Sequence, residues 1–228
     1  MNIQFFKTLF GFSAALFLCS CASNDIDELS ASGDIGFIGD YSMFEPVQND
    51  SGLRMYRYAS EALRSGVYRK VILEPVDFYP TAETSEQVHS DLLLETKAYL
   101  DNGLKDAVAA NFEMVQSAQA GAFVLTPRIT AVKTIAGDIK LREVIPVGAV
   151  IALAKVATGN RQEDVEVYME FKLTDSVTGE FVGGSVKQGE GQALSGSAQE
   201  LQFEDLKPML DSWIEEFNKV LEKLSQLE

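Results

Sequence analysis

The chain has 228 residues, enough for one domain with a sizeable core, and carries 19 basic against 34 acidic side chains, a net charge of −15. A surface of that sign repels a phosphate backbone as a whole, which excludes nucleic acid as the expected partner. Both cysteines, Cys19 and Cys21, lie ahead of Ala22, so the body of the chain has no thiol for a disulfide, a metal or a nucleophile, and its stability must come from packing.

The N-terminus has one cation, Lys7, followed by the apolar run Leu9 to Leu18, the charged and hydrophobic parts of a secretory signal. The run is about ten residues long where a membrane span needs about 20. Small Ser20 precedes Cys21, and the stretch Leu18-Cys19-Ser20-Cys21 resembles the processing and lipid-attachment site of bacterial lipoproteins. The resemblance implies cleavage between Ser20 and Cys21, a diacylglycerol on the Cys21 thiol and a third acyl chain on its freed amine. An ordinary cleaved signal and a single span are the competing readings. Loss of residues 1–20 removes Lys7 alone among the charges, leaving 18 bases against 34 acids and a net −16. One acyl chain holds a protein only marginally, at about 0.8 kcal/mol per buried methylene, whereas three exceed what stable anchoring requires. Ala22 stands where many inner-membrane lipoproteins carry Asp, so likeness to the usual sorting pattern implies the periplasmic face of the outer membrane.

From Ala22 to Asp34 the residues are mostly Ser, Asp, Asn and Ala, which reads as a flexible tether; residues 21–35 are thus a lipidated terminus and leash, and 36–228 a periplasmic domain. Gly36 to Pro46 mixes aromatic residues with Gly and Pro and is expected to pack on the domain as an ordered irregular segment. Between Arg54 and Lys70, five cations (Arg54, Arg57, Arg64, Arg69, Lys70) face one acid, Glu61, an island that reads as a solvated face or a contact to acidic headgroups. Tyr68 to Tyr79 is β-rich, and continuous Val71-Ile72-Leu73 predicts a central strand buried on both faces and ended near Pro75.

Thr84 with Gln87 matches a capping box opening a long amphipathic helix, whose apolar positions are Val88, Leu92, Leu93, Leu100, Leu104, Val108 and Phe112, with Gly103 weakening its middle. A short strand over Phe112 to Val115 and a turn over Gln116 to Gly121 lead to a half-buried strand, Ala122 to Ile135. Pro127 lacks an N–H and is expected at an edge or bulge. Val144 to Ala154 is the most apolar stretch after the signal; it is expected to be buried in the domain or, alternatively, exposed for a partner or the membrane interface. Its residues Val147, Val150, Ile151 and Leu153 are the candidate contact surface. Glu163 to Asp175 alternates, placing Val165, Val167, Met169, Phe171 and Leu173 inward and Glu166, Tyr168, Glu170 and Lys172 toward water. The turn Asp175 to Gly179 predicts a hairpin returning over Glu180 to Gly191, with Gly183, Gly184, Gly189 and Gly191 read as bulges and fraying, not as a phosphate loop.

Phe203, Leu206, Leu210, Trp213, Phe217, Val220, Leu224 and Leu227 form the stripe of a terminal helix capped by Asp205, with Pro208 in its first turn. The stripe reads as packed on the sheet, or alternatively as a dimerisation seam. The expected fold class is α+β: a single domain with a mixed or antiparallel sheet, a long helix after the first core strand, a C-terminal β-hairpin and a C-terminal amphipathic helix.

No catalytic, metal-binding or cofactor-binding residue is expected. The one histidine, His89, sits in a helix start among Ser and Asp, no Gly-x-Ser-x-Gly elbow exists, and adjacent acids such as Glu215 and Glu216 point in different directions.

GFIGDYSMFEP (Gly36 to Pro46), YRKVILEPV (Tyr68 to Val76), IPVGAVIALAKVATG (Ile145 to Gly159), EFKLTDSVTGE (Glu170 to Glu180) and the helix around Trp213 together resemble the proteobacterial lipoprotein family with domain of unknown function 3313. The resemblance spans nearly the whole mature chain and implies a periplasmic lipoprotein domain without an assigned activity. The order of elements is also similar to small α/β domains of other envelope lipoproteins, including those associated with curli secretion. The leading expectation is a non-catalytic, outer-membrane lipoprotein that is anchored through its lipid and binds another envelope protein or itself. A carrier or sensor of a small apolar ligand or lipid, and an export accessory forming membrane-bound oligomers, are the alternatives.

Overall fold

Strict alternation in the second half of the chain builds a mixed sheet whose two long helices lie on one face. The computed structural model describes residues 26, 35–47, 54–82, 89–135, 164–190 and 202–227; the expectations for Ser20, Cys21, Thr84, Gln87, Val88, Val147, Val150, Ile151, Leu153 and Gly191 lie outside them. Eight strands are described: β1 (Glu45–Pro46), β2 (Met55–Ala59), β3 (Lys70–Leu73), β4 (Asp77–Phe78), β5 (Glu113–Met114), β6 (Ala122–Ile135), β7 (Asp164–Asp175) and β8 (Phe181–Glu190). They run β1-β2-β8-β7-β6-β3-β5, with β4 paired to β6 beyond the end of β3. The pairs of β3 with β5 and of β3 and β4 with β6 are parallel and the others antiparallel. With α1 (Glu61–Arg64), α2 (Ser90–Asn111) and α3 (Phe203–Ser225), this is the expected α+β domain with its terminal hairpin and terminal helix.

The long strands fall close to where the pattern put them, but β3 is not central. It is flanked by β6 on one side and only by two-residue β5 on the other, and of its apolar triplet Val71 alone is fully buried. The middle of the sheet is β8-β7-β6 instead. Helix α2 links β3 to parallel β6, as a crossover must. It starts at Ser90 with exposed His89 at its N-cap, and buries Leu92, Thr96, Leu100, Leu104, Ala107 and Val108. Gly103 does more than weaken the helix: a Cβ there would collide with Ile214, so its bareness lets α2 and α3 approach closely.

Pro127 sits neither at a sheet edge nor at the register shift, which falls between Ile129 and Val132. The carbonyls of Leu125 and Ile129 accept from Glu74 N and Tyr79 N, each at 2.9 Å, so alternate residues of β6 turn their polar groups toward β3 and β4. Residue 127 faces the same way and meets the break between those two strands, where no donor is needed. The expectation failed because interrupting the neighbour satisfies a proline as well as an edge does.

In α3 the N-cap is Gln202, joined in a reciprocal box to Asp205 at the third helical position. Pro208 therefore lies in the second turn and removes one helical hydrogen bond. Met209, Leu210, Trp213, Phe217 and Leu221 form the buried stripe, packed against α2 and the sheet, so the apolar face serves the core. The charge island is dispersed: Lys70 Nζ donates to Gln119 Oε1 at 2.9 Å, while Arg69 donates to the carbonyls of Ser225 and Leu227 at 2.6 and 2.5 Å, capping the end of α3. Gly66, at φ +68°, lies so near the Leu227 carbonyl that a Cβ would collide with it.

The opposite face of the sheet is where sequence and structure differ most. Tyr168 and Glu170 of β7, read as facing water, are both 0% exposed. They are covered by Ile35 to Phe44, an ordered irregular strap as expected of Gly36 to Pro46, which forms a second apolar cluster of Ile26, Ile35, Ile38, Tyr41, Phe44, Tyr56, Tyr168 and Val186. Ile26, in the stretch read as tether, is buried there at 1% exposure. The glycines of β8 are contact points, not frayed ends. A Cβ at Gly184 would meet Phe44 at 3.0 Å on the strap side, and one at Gly189 would meet Trp213 at 2.5 Å on the helix side. Between β7 and β8 the described register shifts where Val182 is squeezed between the pairs Thr174–Phe181 and Leu173–Gly183, so the bulge reading holds beside Gly183.

Candidate functional site

Among the described residues the densest polar chemistry is the seat of Glu170 beneath the strap. The run Gly36-Phe37-Ile38 presents three successive backbone N–H groups to one carboxylate, a concave nest of the kind that binds anions. Gly36 N and Phe37 N donate to Glu170 Oε1 at 3.0 and 3.3 Å, and Ile38 N donates to Oε2 at 3.1 Å. The Tyr41 hydroxyl donates to the same Oε2 at 2.5 Å and accepts from Ile38 N at 3.2 Å. Gly39, at φ +97°, makes the turn that brings Tyr41 back over the carboxylate, and Asp40 Oδ1 steadies it by accepting from Ser42 N at 2.9 Å.

Burying a lone carboxylate costs several kcal/mol, and charge-assisted bonds from four donors are what offset it. Burial, followed by the charge of Glu170, holds the Tyr41 phenol far above its ordinary range, so it stays protonated and remains a donor. Both oxygens of Glu170 are engaged by the protein's own backbone and phenol. The group therefore works as a rivet fixing the strap to the sheet.

Outside this seat, Phe37 stands edge-on to Tyr79 with centroids 5.5 Å apart, and two cations lie over its ring, Arg128 at 5.2 Å and Lys172 at 5.7 Å. Arg128 also reaches Glu74 at 3.7 Å, and nearby Asp77 pairs with Lys97 at 2.7 Å. The Lys97 bond, followed by the Phe78 amide and then by the charges of Lys97 and Arg128, depresses the Asp77 carboxyl below its usual value against a smaller opposing effect of burial. Tyr79 is 45% exposed.

A second polar group lies under α3 on the helix side. Lys187, opposite Met169 in the ladder and 6% exposed, pairs with Glu216. Arg57 shares that face, and burial lowers its guanidinium from the ordinary value while Glu216 partly restores it. Trp213 Nε1 and Arg57 Nε find no hydrogen-bond partner among the described residues. Glu215 turns away to Lys219 at 2.6 Å, so the two adjacent acids do diverge as expected. No group of three His, Cys, Asp or Glu suited to a metal occurs among the described residues, and no described helix is long and apolar enough to cross a membrane.

Of the sequence-predicted site residues, Ser20, Cys21 and the contact set Val147, Val150, Ile151 and Leu153 lie outside the described residues, while Glu170, Tyr41 and the cation-flanked Phe37 were missed as a site. The available signal was an aromatic, Tyr168, on a face assigned to water, together with a strap of aromatics and glycines that needed something to cover.

The sequence model of a family described as "Protein of unknown function (DUF3313)" matches residues 34–217. A relative named "Uncharacterized lipoprotein YdcL", from Escherichia coli strain K12, is 28% identical over 211 residues, covering 92% of this chain and 94% of the relative. Among solved structures, a PelC dodecamer from Paraburkholderia phytofirmans is similar at TM-score 0.35 and 17% identity, over 75% of this chain and 96% of that one. The hypothetical protein CT253 from Chlamydia trachomatis is similar at TM-score 0.45 and 13% identity, over 71% of this chain and 99% of that one. At those scores neither likeness bears on function.

Proposed function

This chain belongs to the DUF3313 family, and from that premise we propose that it is a lipoprotein acylated at Cys21, held on the periplasmic face of the outer membrane, whose domain acts without catalysis by binding another envelope protein or a second copy of itself. Likeness to an E. coli lipoprotein along 92% of the chain supports the anchoring, as does the Leu18-Cys19-Ser20-Cys21 stretch following a short apolar run. The observation that carries the non-catalytic reading is the use of Glu170: the most deeply buried acid among the described residues is spent on holding the strap.

The apolar segment holding Val147, Val150, Ile151 and Leu153 is the proposed contact surface for that partner. Growth with labelled palmitate tests the anchor, with label expected in the parent and absent from Cys21→Ser. Crosslinking in intact cells tests the rest. Val150→Glu with Ile151→Glu should keep the chain folded and abolish the crosslinked species; loss of folding would place those residues in the core instead. A turnover abolished by one side-chain change would refute the non-catalytic reading.

A further inference from the structure

Very little chain separates Cys21 from the apolar cluster beneath the strap. Five residue steps separate Cys21 from Ile26, which can span at most about 18 Å whatever path they take. Had the domain first been gripped at Ile35, fourteen steps would have allowed about 50 Å. Ile26, however, is buried at 1% exposure in the cluster between strap and sheet. A domain of this size is about 40 Å across, so a leash of at most about 18 Å cannot run around it. The strap-covered face must look toward the membrane that holds the lipid.

That face carries suitable groups. Phe37 and Tyr79 form an edge-on aromatic pair with Tyr79 45% exposed, and aromatic rings of this kind favour the headgroup level of a bilayer. Arg128 and half-buried Lys172 flank Phe37. Arg128 Nη1 also donates to the carbonyls of Pro75 and Pro127 at 3.0 and 2.7 Å, which leaves the 21% of its side chain that is exposed, with Lys172, as the positive charge this face offers a lipid phosphate on a chain of net charge −15. Glu74 beside Arg128 keeps the attraction moderate, so the leash supplies proximity and the aromatic-cation group sets the orientation.

We propose that the outer face of the sheet, with Phe37, Tyr79, Arg128 and Lys172, lies against the phospholipid headgroup layer that holds the acyl chains of Cys21, turning α2 and α3 away from the membrane. The inference rests on the lipid-anchored reading above. The helix layer and the far end of the sheet are then the surfaces open to the periplasm.

The test uses the full acylated protein in vesicles of phosphatidylethanolamine and phosphatidylglycerol containing a headgroup spin-labelled lipid. With the Cys21 sulfur acylated, an introduced cysteine is the sole free thiol for a fluorophore. Labels at Asp40→Cys and Thr81→Cys should lose most of their emission to the spin label, and labels at Lys219→Cys and Glu222→Cys should keep theirs. Equal quenching at all four sites, or quenching confined to the helix sites, overturns the proposal. So does an unquenched Asp40 label in vesicles together with an unlabelled Asp40→Cys thiol that is shielded from a water-soluble thiol reagent in native envelopes, the result expected if a protein covers this face. Failure of the parent to float with vesicles would instead sink the acylation, a different outcome from a floating protein with the wrong face labelled.

Discussion

Replacing Glu170 with alanine isolates the rivet between strap and sheet. The wild-type carboxylate is fully buried and accepts from Gly36 N, Phe37 N, Ile38 N and the Tyr41 hydroxyl. Bonds to a charged acceptor contribute about 1.5–3 kcal/mol each in net terms, but desolvating the carboxylate cancels part of that sum. What remains after truncation is a set of buried donors without an acceptor, a change expected to cost about 3–5 kcal/mol if the strap stays docked. The strap can escape part of that cost by lifting off, so the loss should appear locally before it appears globally. Amide exchange at residues 36–38 should accelerate on the order of a hundredfold or more, since about 1.4 kcal/mol corresponds to tenfold. Trp213, the only tryptophan, is on the buried stripe of α3 against the other face, and its emission in urea should report a smaller shift than the strap amides do. Glu170→Gln keeps one acceptor oxygen and should fall between the two. Unchanged exchange at residues 36–38, with an unfolding free energy within about 0.5 kcal/mol of the parent, would refute the rivet.

Gly189→Ala would put a methyl 2.5 Å from the Trp213 ring, which is 2% exposed and has no room to retreat; a loss of about 1–3 kcal/mol and a shifted emission maximum are expected, and an unperturbed spectrum would count against the packing. Arg69→Ala removes the side chain that caps the Ser225 and Leu227 carbonyls, so amide exchange should rise in the last turn of α3 and nowhere else. The Tyr68–Asp175 bond, 3.0 Å long, gives two pH arms. Burial, then the bond to Asp175, pushes the Tyr68 phenol from 10.0 up to about 12. Its contribution is therefore complete below pH 10.0 and lost as pH rises through about 12, and Tyr68→Phe should flatten that alkaline loss. The Asp175 carboxyl is depressed below 3.8, first by the Thr178 and Val177 amides, so its contribution holds above that value and disappears as pH falls through the lowered one. Asp175→Asn should flatten the acid limb, which stability measured from neutral to acid pH will show.

Legibility in this chain tracked how local the deciding contact was. Strand β6, the turn at Asp175 to Gly179 and the terminal helix are written in periodicity and turn chemistry that a short window contains, and they appear where expected. Tyr168 and Glu170 obey the same alternation, yet alternation only separates two faces; it does not say that the polar face is wet. What covers that face arrives from residues 35–44, more than 120 positions earlier, and Glu170 is read by backbone amides that leave no side-chain signature of their own. Pro127 shows the same limit, because its tolerance depends on a gap between β3 and β4 in a neighbouring strand. The glycines of β8 belong with them. Seen in sequence they weaken a strand, but in space Gly184 admits the strap's Phe44 and Gly189 admits Trp213 of α3, so one strand is thinned on both faces to let two layers close on it. That double thinning makes the strap part of the fold and not an appendage. If Cys21 anchors the chain as proposed, the five steps between it and Ile26 keep this strapped face near the membrane, and the contacts of Phe37, Tyr79, Arg128 and Lys172 are what set its orientation.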